Sequence, residues 1–228
     1  MPILNHLLAL VLLTASAPTA AVRQPAVIDR KQADEGAFAG DLWIVNLETR
    51  AARRITRTGG YRSPIFLAGD RKLLALKGED LIEIPVEGGE PKKLYTIKGI
   101  LKLVGAQPGD QNLLLLLSGD QERPSAELLS LKSGRRMVLN FNSEPDGGSK
   151  MLGYLRGWER AYDNGTTNLY TKTETKAGPA GDNSEWRDVY LKQGDREPVN
   201  LSNCNGTNCG QPSLSSNARE VVYIKSDK

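Results

Sequence analysis

The chain has 228 residues, 39% hydrophobic and 25% charged, with 30 Lys plus Arg against 27 Asp plus Glu for a net charge of +3. That balance belongs to a globular chain rather than a disordered one, and it leaves no polybasic patch for nucleic acid. The one histidine, His6, falls in an apolar leader. Removal of that leader leaves no imidazole for Ser-His-Asp or Cys-His catalysis or for His-ligated metal.

In chain order, the first element is that leader. Leu7–Leu13 is a short apolar run, followed by small residues up to Ala21. It is too short to span a bilayer and has the layout of a secretory signal peptide. Residues 1–21 are read as the signal, cleaved after Ala21, with an uncleaved anchor as the alternative because the positive n-region is weak. Residues 22–40 follow as an N-terminal extension, and 41–228 as the folded domain. The mature chain is expected in the periplasm or outside the cell, with no stable membrane insertion.

From Asp41 onward one pattern returns four times: an acidic residue, alternating apolar residues, a turn, and a short closing strand. The copies begin at Asp41, Asp80, Glu127 and Asp188 and close on Arg54–Thr56, Lys93–Thr96, Val138–Asn140 and Val199–Ser202. Each reads as a hairpin. Between them lies a second unit, strand–turn–strand. Its turns are Ala68–Arg71, Gln107–Asp110 and Ser215–Ala218, and a degenerate copy falls between Met151 and Thr173 with strands at Leu152–Leu155 and Asn168–Thr171. Lys176–Glu185 is expected to be an insertion loop.

Sixteen short strands in four sets of four, without a sustained 3.6-residue period, predict an all-β chain. The four-stranded repeat predicts a β-propeller of about four blades; a sandwich is the competing architecture. The chain starts with one half of a unit and ends with the other. The two halves are therefore expected to complete one blade, unless the chain is part of a larger ring completed by another chain, as an oligomer, or by missing sequence.

Cys204 and Cys209 stand in a segment dense in turn formers, Asn203–Gly210. In an oxidising compartment this spacing favours a loop disulfide over a metal site. No cofactor and no metal site is expected, since the acidic turns at Asp146, Asp163 and Asp182 lack calcium-loop spacing. Sequons occur at Asn164, Asn200 and Asn205. Trp158, Tyr162 and Trp186 are the candidate partner-binding aromatics, with blade-core packing as the other reading. Arg53-Arg54 and Lys92-Lys93 occupy equivalent places in successive copies, as a basic rim or as charge guarding strand edges.

The repeats resemble the TolB-type, WD40-like propeller repeat. Asp41-Leu-Trp-Ile-Val, Ile55-Thr56, Ser63-Pro64 and Gly69-Asp70 carry the likeness first. Asp188-Val-Tyr-Leu, Leu201-Ser202, Gln211-Pro-Ser-Leu and Val221-Val-Tyr-Ile carry it again at the end. The resemblance covers roughly 41–228 and leaves no room for the separate N-terminal domain of TolB. It implies a non-catalytic, secreted or periplasmic module that binds an envelope or secreted protein on one face of the ring. The alternatives are a glycan- or peptide-binding propeller, or the propeller part of a larger hydrolase or peptidase.

Overall fold

The computed structural model describes residues 38–107, 109–118, 124–140, 167–177 and 183–226. Trp158, Tyr162, the leader, the strand expected at Leu152–Leu155 and the acidic turns at Asp146, Asp163 and Asp182 lie outside the described residues.

Fifteen strands and no helix make up the described chain. The first two are β1 (Asp41–Asn46) and β2 (Ala52–Arg54). Four more follow in one antiparallel sheet, β3 (Tyr61–Phe66), β4 (Lys72–Lys77), β5 (Asp80–Pro85) and β6 (Lys92–Thr96). A second sheet of four is β7 (Ile100–Ala106), β8 (Asn112–Ser118), β9 (Pro124–Ser130) and β10 (Arg136–Leu139). A third has three strands, β11 (Thr167–Ala177), β12 (Asn183–Gln193) and β13 (Val199–Asn200). Finally β14 (Cys209–Leu214) and β15 (Glu220–Lys225) pair with β1 and β2 in the order β14-β15-β1-β2. We number these sheets as blades 1 to 4 in that order.

Blade 4 joins the two ends of the domain, as the half-units in the sequence predict. Asp41 pairs with Lys225 and Asn46 with Glu220, a six-residue ladder. The chain entering β1 is drawn in as well. Gly40 exchanges backbone hydrogen bonds of 3.0 and 2.9 Å with Tyr61. A Cβ at Gly40 would stand 2.1 Å from the Lys225 carbonyl oxygen, so only glycine fits this crossing.

Each blade interior reads as an unbroken apolar run because it is covered on both faces. In β4, Leu73 and Ala75 pack toward blade 4 with Leu42, Ile44, Val222 and Ile224. Leu74 and Leu76 point the other way, into a cluster with Leu103, Leu113 and Leu115 of blade 2. All four β4 side chains are fully buried. Blades 3 and 4 meet through Val189, Leu191 and Leu201 against Val45, Leu214, Val221 and Tyr223. Between blades 2 and 3 the described residues form no apolar cluster of this kind. Blade 2 carries a smaller group of its own, Val104, Leu114 and Ala126.

The sequence expectation fails at Lys176–Glu185. The two ends of this stretch are strand, and residues 178–182 lie outside the described residues: Lys176 pairs with Ser184 and Ala177 with Asn183, so β11 and β12 run on as an 11-residue ladder. Threonines at alternate positions favour the extended backbone, and the hairpin stands out beyond blades whose strands have seven residues or fewer.

Candidate interaction surface

The acidic residues that open the hairpins come first, because buried, shifted carboxylates are the usual mark of a catalytic site. Asp41 is buried beneath the end of its blade's closing strand. It accepts hydrogen bonds from Thr56 Oγ1 at 2.7 Å and the Gly59 N–H at 3.1 Å, and it pairs with Arg54. Asp80 accepts from Thr96 Oγ1 at 2.6 Å and pairs with Lys93 at 2.8 Å. Glu127 pairs with Arg136 at 2.6 Å.

In blade 3 an amide replaces the cation. Asp188 Oδ2 accepts from Asn200 Nδ2 and from Trp186 Nε1, both at 3.0 Å. Its Oδ1 accepts from Ser202 Oγ at 2.8 Å and the Cys204 N–H at 2.6 Å. Burial raises the Asp41 and Asp188 pKa values, but the donors around them outweigh it, and both carboxyls end below the usual carboxylate range. Asp41 and Asp188 are thus held ionised by the donors at the close of their own blades. This repeated clasp fastens the strand that opens each hairpin to the one that closes it.

A second repeated device ties blade to blade. The strand–turn–strand turns share one geometry, with Asp70, Asp110 and Ala218 at φ of 54°, 56° and 56°. Asp110 Oδ2 accepts from the Ala68 N–H of blade 1 at 2.7 Å. Asp70 in turn accepts from the Ser216 N–H and Oγ of blade 4, both at 2.8 Å, and from the Asn217 N–H at 3.1 Å. The relay stops at Ala218, whose methyl accepts nothing. Next to Asp110 an open cleft of about 460 Å³ is lined by Gly109, Gln111, Asn112, Ser130 and Lys132.

Nearer the chain's two ends, Ser63 and Gln211 occupy matching bulges before a proline, both at φ 50°. The Ser63 N–H donates to Gln211 Oε1 at 2.5 Å.

Blade 3 differs from the rest. One face of its long hairpin supplies the cluster against blade 4. The other carries Tyr170 and Tyr190, which face each other across the strands with rings stacked 5.8 Å apart. Glu174 accepts from the Tyr190 hydroxyl at 2.6 Å, and Lys172 pairs with Glu174 at 3.1 Å while its Nζ lies 5.3 Å from the Tyr190 ring centre. The Glu174 carboxylate, followed by burial, pushes the Tyr190 phenol up to about 12. Trp186 sits at the root of this group, half-buried against the blade 3–blade 4 cluster with its indole N–H on Asp188.

The disulfide expected between Cys204 and Cys209 is formed, and both residues are buried. It closes the loop that delivers the Cys204 N–H to Asp188. Of the three candidate aromatics, then, Trp186 is placed at a structural hub, whereas Trp158 and Tyr162 fall outside the described residues. Sequence reasoning missed Tyr170, Tyr190, Lys172 and Glu174. Their alternation at 170, 172 and 174 was the available signal, and reading the stretch after it as a loop hid it. The basic pairs are split in role: Arg54 and Lys93 serve the acidic clasps, and Arg136 does the same in a third blade.

These sheets define a β-propeller in which three blades show four strands and one shows three among the described residues. Solved structures similar to this chain include two of TolB. One, assigned as TolB from Agrobacterium tumefaciens, is 14% identical with a TM-score of 0.41, covering 79% of this chain and 59% of that one. TolB from Acinetobacter baumannii is 9% identical with a TM-score of 0.37, covering 85% and 65%. The chain thus spans less than two thirds of the length of either structure. The likeness concerns fold alone. No family model matches the chain, and no curated protein does. Among the described residues no helix is long and apolar enough to cross a membrane.

Proposed function

We propose that this chain is a secreted or periplasmic propeller that works without catalysis, by binding an envelope or secreted protein through the aromatic and charged face of blade 3. One observation carries the reading. The buried acids are consumed by the repeated clasps, while the Tyr170–Tyr190 pair, Lys172 and Trp186 form a rigid mixed surface against which no other described blade packs a cluster. Tyrosine, tryptophan and flanking charge on a stiff ladder suit recognition of a folded protein. Trp186 supplies the anchored ring, and Trp158 and Tyr162 are proposed to extend the same surface.

Immobilised full-length chain should retain one envelope or secreted protein in stoichiometric amount. Tyr170→Ala with Lys172→Glu should weaken that retention about tenfold or more, as for a hot-spot loss. Lys132→Ala, in the cleft of blade 2, should leave it unchanged. Equal retention by all three proteins, or reproducible turnover of a glycoside or peptide substrate by the purified chain, would overturn the proposal.

A further inference from the structure

The edge of β11 that no described strand pairs with has a direction that the hydrogen bonds fix. Val189 receives the Leu201 N–H at 2.8 Å on its carbonyl and donates its own N–H to Ser202 Oγ at 2.9 Å. The Arg187 N–H donates to Asn208 Oδ1 at 2.9 Å. Odd-numbered residues of β12 therefore turn their main-chain polar groups away from β11. Residues directly opposite in an antiparallel ladder either bond each other or both turn away. The partners of Val189, Arg187, Glu185 and Asn183 are Thr171, Thr173, Thr175 and Ala177. Their N–H and C=O groups point outward along the other edge of β11. At Thr171 that edge is close to blade 4, since its Cγ2 lies 3.7 Å from where a Cβ would stand on Gly210. From Thr173 to Ala177 no described strand pairs with it, and all but Glu174 are exposed.

The side chains on this edge then choose a partner. A strand polar on both faces specifies register weakly, so charge decides it. If a second copy of the edge pairs antiparallel about Thr175, Glu174 stands opposite Lys176 of the second copy, and the same pair recurs by symmetry. Thr175 then faces Thr175 of the second copy, and Thr173 faces its Ala177. A two-fold about Glu174 instead sets glutamate against glutamate and Lys172 against lysine. A two-fold about Thr173 uses Thr171, which blade 4 crowds.

We propose that Thr173–Ala177 of β11 pairs with the same segment of a second copy of this chain, two-fold about Thr175, joining two propellers through a continuous sheet. The three outward-facing pairs exchange about six main-chain hydrogen bonds, and strand addition of this kind gives affinity through the backbone and specificity through the flanking side chains. This dimer is independent of the partner-binding reading above, because it uses the edge of the hairpin and not its face.

Sedimentation equilibrium of the full chain tests it. The mass should double over a range on the order of 10–100 µM. Thr175→Pro removes an outward N–H that the β11–β12 ladder does not use, so the variant should fold with an unchanged far-ultraviolet spectrum and remain monomeric. Glu174→Lys should weaken the dimer on the order of tenfold, as should Lys176→Glu, and the two together should restore it by swapping the pair. A monomer throughout the range, a dimer indifferent to Thr175→Pro, or a charge swap that fails to rescue would overturn the proposal. Addition of an unrelated extended peptide at this edge in place of a second copy would overturn it too.

Discussion

Blade 1 and blade 3 are built from the same repeat and spend their side chains differently. Blade 1 has short strands sealed on both faces, with Leu73, Leu74, Ala75 and Leu76 all removed from solvent. Blade 3 has strands of 11 residues, one apolar face and one of stacked tyrosines, lysine and glutamate. In a propeller the radial packing of sheets demands apolar residues on both faces. A blade that keeps a polar-aromatic face has therefore been released from that demand on one side. Comparing the two separates residues that make the ring from residues free to do something else.

The comparison breaks first at blade 4, on which both neighbours lean. Deleting residues 210–228 removes most of β14 and all of β15, stripping β1 of its ladder and two cores of their centre. Scanning calorimetry should show loss of cooperative unfolding; a truncated chain melting like the parent would refute the two-ended blade. Within the surviving ring, Leu74→Ala should cost about 2–5 kcal/mol by chemical denaturation, as cavities in sealed cores do. Tyr170→Ala, on the open face of blade 3, should cost only about 1 kcal/mol, the worth of an aromatic pair with partial burial. Equal losses would mean that blade 3 is sealed like blade 1.

Asp188→Asn tests the hub, where an amide cannot receive all four donors. A loss of about 2–3 kcal/mol is expected. The sign with pH follows from a folded pKa below the unfolded one. The Asp188 and Asp41 contributions are fully present above the unfolded carboxylate value near ~4 and fade as pH falls through the lower folded values. The variant should therefore lose less stability than the parent as pH falls below ~4. Replacing Cys204 and Cys209 with serine should cost about 2 kcal/mol, as expected for so short a closed loop. The smallest effect belongs to the exposed pairs. Breaking Lys172–Glu174 in blade 3 or Lys72–Glu83 in blade 1 should change stability by less than about 0.5 kcal/mol in either blade.

Much of this architecture is legible in the sequence because turn chemistry and apolar alternation are local. The Gly-Asp turns at 69–70 and 109–110 fixed two hairpins, and the half-units at either end foretold the β1–β15 ladder. What escaped depends on neighbours. Asp70 and Asp110 looked like ordinary turn residues, yet each reaches into the adjacent blade, a contact that only the packed sheets create. The Gly-rich stretch Lys176–Glu185 looked like a loop, although Thr171, Thr173 and Thr175 just before it are strong strand formers. Composition averaged over the stretch concealed the alternation. The hub at Asp188 was half visible: its acid and its Leu-Ser close were in the repeat pattern, but the arrival of Trp186 and the Cys204 N–H was not.

The pairing of Asp41 with Lys225 also sets an order of events in folding. The hairpin made first carries Leu42, Ile44 and Val45, and its sheet cannot exist until the final strands are present. A contact between such distant positions closes slowly. Until then the first hairpin is an apolar ribbon with an open edge, and its exposure to aggregation is governed by the arrival of β14 and β15.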